Sequence, residues 1–380
     1  MNKSYDAIIA GLGAMGSAAA YHLAKMNRRV LGLDRFTPPH AFGSSHGQTR
    51  IIREAYFEHP SYVPLVQRAY PLWDELERES GRSLFQKTGG LMIGPPEGTL
   101  VRGACSSAEI HHLPYEILAA EEVRRRFPAF QPTDEMVAVW EQRAGILFTE
   151  RCIEAHLEMA RRHGAHLHFE EQVISWQAAD NGVTVITNRN RYTAERLLLT
   201  AGPWMGKLLA DLQLPLTVAR QVLLWFEPTT QVQQFSAPQF PIFILEHETN
   251  RFFYGFPDLG HGVKIAIHHE GEPADPDHLN REVRADEVEV VRALLRRFMP
   301  EAAGRLLANT VCMYTNTPDS HFLIDFHPHQ PQVLVASPCS GHGFKFSSAI
   351  GQVLAELLTV GKSSFDLSMF AIKRFAQYRT

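Results

Sequence analysis

Gly11-Leu12-Gly13-Ala14-Met15-Gly16 lies between an apolar run over 5–10 and a run of small residues over 14–26, and no other feature restricts the fold of this chain more. The first run reads as a short buried strand and the second as a helix; a further apolar strand over 29–33 ends at Asp34. Gly11 permits the tight turn out of the strand. Gly13 lets backbone N–H groups approach a pyrophosphate at the helix N-terminus, and Gly16 lets the helix pack on the strand. Asp34 follows at the spacing, about 20 residues, at which a carboxylate accepts hydrogen bonds from an adenosine ribose. Alone, a G-x-G-x-x-G could be a glycine-rich turn. With strand, helix and acid in register it points to dinucleotide binding. Asp34 disfavours a 2′-phosphate and so NADP, while the motif alone does not separate FAD from NAD.

The rest of the 380 residues bound the answer more loosely. The length suggests two or three domains at roughly 150 residues each. With 45% apolar and 21% charged residues, the chain can bury a sizeable core. Lys and Arg number 37 against 41 Asp and Glu, a net charge of −4, which gives no reason to expect nucleic acid or an anionic membrane as partner. The basic clusters Arg124-Arg125-Arg126 and Arg296-Arg297 are interleaved with acids and read as solvated helix faces. Cys105, Cys152, Cys312 and Cys339 form no C-x-x-C pair, which argues against zinc and against a disulfide framework and fits a reducing compartment. The uncharged stretch 7–21 could be misread as a secretory segment, but its glycines belong to the nucleotide motif. No apolar run approaches the roughly 20 residues of a membrane span, so a cytoplasmic protein is expected.

Further along, a helix is expected near Ser61, with Pro64 in its first turn, and another between Thr149 as N-cap and Gly164 as C-cap. Strands follow over 165–169, 172–176, 183–187 and 197–200, with a turn at Asp180-Asn181-Gly182. Alternation over 222–226, 242–245, 252–256 and 263–268 indicates a mostly antiparallel sheet. A helix over 286–299, a strand over 333–336, a glycine-rich turn at 340–343 and a helix over 347–359 complete the pattern. The fold class expected is α/β with an α+β insert: a Rossmann-like domain assembled from 1–85, 150–220 and 310–380, and a sheet-based substrate domain from 86–149 and 221–309.

Five later stretches carry a resemblance: H-G-x-T-R-I-I-R at 46–53, Y-V-P-L at 62–65, F-Y-G-F-P at 253–257 followed by Lys264, C-M-Y-T-x-T-P-D at 312–319, and S-G-H-G-F-K-F-S-S at 340–348. In that order they resemble the monomeric sarcosine oxidase family of flavoproteins, which includes the N-methyltryptophan oxidases and lies within the D-amino-acid-oxidase-like group. The likeness runs from Gly11 to about Phe370. The family segment usually reads Ser-His-His-Gly-Asp-Thr-Arg; here Ser45 and Gln48 replace its first His and its Asp, a departure that bears on the polar surroundings of the flavin.

The resemblance implies FAD as cofactor, with Cys312 as the residue whose sulfur bonds covalently to the flavin 8α-methyl group. Without the family, a lone cysteine before Met313 and Tyr314 reads as core. The resemblance further implies that Arg53 and Lys345 hold the substrate carboxylate. Their setting agrees, since Arg53 ends an Ile-Ile-Arg run and Lys345 lies between Phe344 and Phe346, whereas surface cations seldom have such neighbours. Lys264, otherwise an edge-strand lysine, matches the lysine of oxygen activation. His268, on the same strand face, and Tyr254 and Tyr314 match residues around the bound amine, and Arg50 the arginine near the flavin. Cofactor contacts are implied for Gly11, Gly13, Ala14, Met15, Gly16, Asp34, Arg35, Ser45, His46, Thr49, Ile51, Val173, Gly202, Trp204, Met313, Gly341 and Gly343 as well as Phe344 and Lys345. His261 and His269 read as ordinary solvated residues.

The activity so implied is oxidative demethylation of sarcosine or a similar small N-methyl amino acid, with O₂ as acceptor and formaldehyde and H₂O₂ as products, by a monomer that needs no metal. N-methyltryptophan and the cyclic amino acids proline and pipecolate remain alternative substrates. A flavin dehydrogenase that does not use O₂ and a non-catalytic dinucleotide-binding protein remain alternatives of another class.

Overall fold

The computed structural model describes residues 4–179 and 182–378. It opens with β1 (Ser4–Ala10), α1 (Ala14–Lys25) and β2 (Val30–Leu33), the two strands parallel. Gly11 adopts φ 97° and its N–H donates to Leu33 O at 2.8 Å. A Cβ on Gly16 would stand 1.8 Å from Gly11 O, so only glycine lets the helix begin this close to the end of the strand. A Cβ on Gly13 would meet nothing nearer than Ser45 Oγ at 3.9 Å, which leaves the cleft side of that turn open.

Across the first sheet the order is Val173–Ala179, Gly182–Thr187, Arg191–Leu199, β1, β2 and His166–His168. Gln330–Ser337 runs parallel to the C-terminal half of Arg191–Leu199, and Leu323–His327 pairs antiparallel with it. Of the expected turn after Ala179, Asp180 and Asn181 lie outside the described residues; the flanking strands pair antiparallel, Ala179 opposite Gly182. Helices Thr149–Arg162 and Ser347–Val360 both pack on α1, whose residues from Ala14 to Ala24 are all buried. That crowding accounts for its alanines and glycine, since larger side chains would push the helices apart.

The second sheet runs Leu306–Asn316, Thr217–Phe226, Val263–His268, Arg251–Phe256, Ile242–Glu248, Gly90–Gly94, Val137–Glu141 and Glu116–Ala119. Only the pairing of Ile242–Glu248 with Gly90–Gly94 is parallel. One face, with Phe226, Phe243, Phe253 and Ile265, packs against Val291, Leu295 and Phe298 of helix Ala285–Phe298. The register sets Tyr254 opposite Ile244 and Ala266, and Lys264 opposite Trp225 and Phe256, so the alternation of side chains puts Ile244, Tyr254, Lys264 and His268 together on the other face. A third sheet, Thr49–Ile52 with Gly145–Phe148 and Phe85–Lys87, carries the strand that ends at Arg53.

Several boundaries differ from those expected. Thr217–Phe226 and Leu306–Asn316 pair along nearly their whole length, so cuts at 220 and 310 would sever a hydrogen-bonded ladder. Divided by sheet membership, the segment 217–316 belongs with the second sheet. Thr149 is the first residue of its helix and Phe148 the N-cap, while Gly164 takes the expected left-handed conformation beyond the C-terminus. Helix Val63–Ser80 has Pro64 in its first turn and continues through Pro71. Between residues 86 and 149 the structure has strands and two helices, Thr99–Ile110 and Ala120–Arg126, where the sequence shows little pattern. Gly90–Gly94 is buried at every position, which erases the alternation that reveals a strand. Arg124, Arg125 and Arg126 form exposed ion pairs with Asp134, Glu122 and Glu116, a solvated face as read.

Gly351 is the closest approach of helix Ser347–Val360 to α1, where a Cβ would lie 2.6 Å from Ala18 Cβ and 2.7 Å from Ala18 C. Gly351→Ala is therefore expected to destabilise the protein by about 1–3 kcal/mol, despite the better helix propensity of alanine. A denaturant midpoint equal to or above that of the parent chain would contradict this packing.

Candidate active site

Two connected chambers lie between the sheets. The outer cleft, of about 300 Å³, is lined by Gly11, Gly13, Ala14, Met15, Asp34, Arg35, Ser45, Val173, Gly202 and Trp204, among others. Asp34 is buried at its floor, and its two carboxylate oxygens accept from Leu12 N–H at 2.7 Å and Phe36 N–H at 2.9 Å. This carboxylate, expected as a ribose acceptor, thus also holds the turn that borders the cleft. The helix N-terminus beside it has no side-chain cap and no acid in its first turn, so its N–H groups stay available to an anion in the cleft.

Ala14, Met15, Ser44, Ser45, Pro338 and Cys339 border both chambers. The inner one, of about 120 Å³, is lined by Arg50, Ile51, Arg53, Tyr254, His268, Met313, Tyr314, Gly341, Gly343, Phe344 and Lys345. Arg53 is 1% exposed; one Nη donates to Ala55 O at 2.6 Å, the other to Glu58 at 2.7 Å, and its buried Nε has no partner. Lys345 Nζ donates to His342 O at 2.8 Å and Tyr56 Oη at 3.3 Å. Burial, with Arg53 nearby, pulls its ammonium down to about 7. His268 is held well below the usual histidine range by burial and the neighbouring His269, so the ring is neutral; its Nδ1 lies 3.3 Å from Tyr314 Oη, itself 3.4 Å from Tyr254 Oη.

Behind the chamber wall, Lys264 Nζ donates to Gly47 O, Thr49 O and Thr49 Oγ1 at 2.6, 2.9 and 3.0 Å, between the faces of Trp225 and Phe256. Burial, and after it the charge of Arg50, drives this ammonium well below its ordinary value. Cys312 lies at the same wall, its Sγ 3.3 Å from Ser44 O and 3.5 Å from an Arg50 Nη. Lys264, Thr49 and Cys312 therefore adjoin the chambers rather than line them. Gly16 packs below the cleft, and His46 lines a separate cavity with His40, Glu150 and Trp225. His261 and His269 are both exposed, although the ring of His269 lies 4.0 Å from that of His268.

Sequence reasoning missed several members. Glu58, Phe57 and His342 line the inner chamber, and Tyr56 bonds to His342 at 2.6 Å. Asp277 reaches the outer cleft from the segment between Val263–His268 and helix Ala285–Phe298, and accepts from Arg35, Trp204 and Lys207. Glu58 lies in the loop just after Arg53 and could have been found from the need of a buried cation for a counter-ion. For Asp277, in a polar surface stretch, there was no such signal.

The arrangement fits a dinucleotide whose ring system enters the inner chamber. Uncapped N–H groups and an open face at Gly13 would receive the pyrophosphate, and Ser44 Oγ, buried without a partner where the chambers join, has hydrogen-bonding capacity to spare. Among the described residues no group of His, Cys, Asp and Glu could hold a metal ion, and no helix is long and apolar enough to cross a membrane.

Comparison with known proteins agrees with this geometry. The DAO family model, described as FAD dependent oxidoreductase, matches residues 6–357. The chain is 43% identical over 380 residues to a monomeric sarcosine oxidase of Streptomyces avermitilis, covering 99% of each chain. It is 36% identical over 373 residues to an N-methyl-L-tryptophan oxidase of Yersinia pestis, covering 98% of this chain and 99% of the other. Among solved structures, NikD, an unusual amino acid oxidase essential for nikkomycin biosynthesis, shares the fold with a TM-score of 0.84 at 24% identity, covering 97% of both chains.

Asp34→Ala would leave the N–H groups of Leu12 and Phe36 without their buried acceptor, at a cost of about 1–3 kcal/mol each. The variant is expected to purify largely free of flavin, read as the ratio of flavin to protein absorbance. A full complement of flavin would show that this carboxylate does not hold the turn.

Proposed function

The chain belongs to the DAO family of FAD dependent oxidoreductases, and from that premise we propose that it is a sarcosine oxidase, converting sarcosine, O₂ and water to glycine, formaldehyde and H₂O₂. The observation that carries the substrate class is the pair of buried cations, Arg53 and Lys345, in a chamber of about 120 Å³ whose one lining carboxylate, Glu58, is already engaged by Arg53. A small amino acid supplies the missing anion. The full-length similarity to monomeric sarcosine oxidases supports a small N-methyl substrate, a monomer and a cytoplasmic location.

When bound, FAD supplies the two-electron oxidation of the CH–NH unit and passes the electrons to O₂. The protein residues bind and orient. Arg53 and Lys345 clamp the carboxylate, so the N-methyl group is directed along the opposite axis of the chamber. Neutral His268, with Tyr314 and Tyr254, faces the amine and provides a ring nitrogen for hydrogen bonding to it. Lys264, whose three N–H groups are engaged by Gly47 O, Thr49 O and Thr49 Oγ1, is the residue we assign to oxygen activation, acting through its charge and not through a free donor. Cys312 is the residue we assign to a covalent bond with the flavin, held beside Arg50 and aimed from the same sheet face as Tyr314.

Acid precipitation of purified protein tests the attachment: yellow colour should stay with the pellet of the parent chain and pass to the supernatant for Cys312→Ala. Anaerobic sarcosine should bleach the flavin, and admitting air should restore it with one H₂O₂ and one formaldehyde per turnover. Bleaching by N-methyltryptophan but not by sarcosine would assign the chain to the other named activity, and bleaching by neither would overturn the reading.

The Lys345 ammonium is lost as pH rises through about 7, and with it part of the attraction for a carboxylate. The dissociation constant of acetate, read from its perturbation of the flavin spectrum, is accordingly expected to rise above pH 7. In Lys345→Gln the same measurement should start about tenfold weaker and lose that inflection. An unchanged inflection in the variant would assign the titration to another group.

A further inference from the structure

We propose that Glu141, which lines neither chamber, is the positioning residue for Arg53 and hence for the substrate carboxylate. The inference rests on the reading of Arg53 as a carboxylate-binding group. Glu141 is the last residue of strand Val137–Glu141 and is 2% exposed. One oxygen accepts from Glu54 N–H at 2.7 Å and the other from Ala55 N–H at 2.8 Å.

The two amides are the first after Arg53, where the strand Thr49–Ile52 has ended and the chain continues without regular structure. Amides released from a sheet inside the protein need acceptors, and a bidentate carboxylate supplies two at fixed separation. The clamp then reaches the guanidinium through one residue. Ala55 gives its N–H to Glu141, and its C=O accepts from an Arg53 Nη, so this one residue links the carboxylate to the fork. The same short loop continues to Tyr56, whose O accepts from Ser107, and to Glu58, the ionic partner of Arg53.

A carboxylate is an expensive choice for this place. Burial raises Glu141 to about 7 in spite of the two amides that favour its ionised form, and the adjacent Glu54 opposes ionisation too. A role limited to filling space would be served at lower cost by an apolar residue. What an apolar residue lacks is two acceptors that hold consecutive N–H groups, and so the direction in which the chain leaves Arg53.

The test compares the parent holoenzyme with Glu141→Gln and Glu141→Asp. Glutamine keeps the shape but turns an NH₂ group toward one of the amides; aspartate keeps both oxygens on a shorter stem. The KM for sarcosine in Glu141→Gln is expected to rise about tenfold, with kcat within twofold and flavin content unchanged, and Glu141→Asp should recover part of the loss. Acetate, which has the carboxylate but no amine, should bind about tenfold more weakly to the glutamine variant in a flavin titration at pH 8, where Glu141 is ionised in the parent. Equal acetate affinity in both proteins would overturn the proposal, as would a loss confined to kcat or to flavin content. If Glu141→Gln does not fold, an aspartate variant with parental KM and acetate affinity would overturn it equally. Because acetate binding does not depend on turnover, a parent enzyme inert toward sarcosine would sink the functional reading and leave this arm to decide on Glu141 separately.

Discussion

Positive charge held out of water with too few acids to balance it is the condition on which the site depends. Arg53, Lys264 and Lys345 are 1%, 2% and 6% exposed, yet only Arg53 has a carboxylate partner. The two lysines are satisfied by carbonyls, a hydroxyl and aromatic faces, which meet their hydrogen bonds but not their charge. Burial accordingly draws both ammonium groups toward neutrality. Such a pocket gains most from an anion, and the proposed function puts a substrate carboxylate beside Arg53 and Lys345. The three cations come from different elements: Lys264 from the second sheet, Arg53 from just beyond a strand of the third and Lys345 from the turn before helix Ser347–Val360.

Legibility in the sequence followed the physics of each element. The βαβ opening was plain because glycine at Gly11 and Gly16 is sterically obligatory and no other residue type can stand in. The strands around Tyr254 and Lys264 could be read because one of their faces is an aromatic core and the other a mixed, functional surface, so alternation survives. Gly90–Gly94 and Leu306–Asn316 escaped notice for different reasons: the first is buried throughout, and the second is half exposed and half buried along its length rather than across it. Cys312 lies in that second strand, so its role was legible only through a family resemblance.

Residues that support the site from behind were the least visible. Glu141 and Asp277 are acids far from any motif and Glu58 follows one by five residues; what distinguishes all three is the partner each finds in three dimensions. Individually a carboxylate in a sequence says little, because most are solvated. The need for them could be argued from the cations that the sequence does mark, but which acid answers each cation is decided by topology.

The account stands on recognition of a carboxylate by Arg53 and Lys345 in the inner chamber. The most direct test is the rate of anaerobic flavin reduction by sarcosine against that by dimethylamine, which keeps the N-methyl amine and lacks the carboxylate. The account predicts reduction by dimethylamine at least a thousandfold slower at equal concentration, about 4 kcal/mol of lost binding and orientation. Comparable rates for the two amines would contradict it, and would mean that the buried cations serve something other than the substrate.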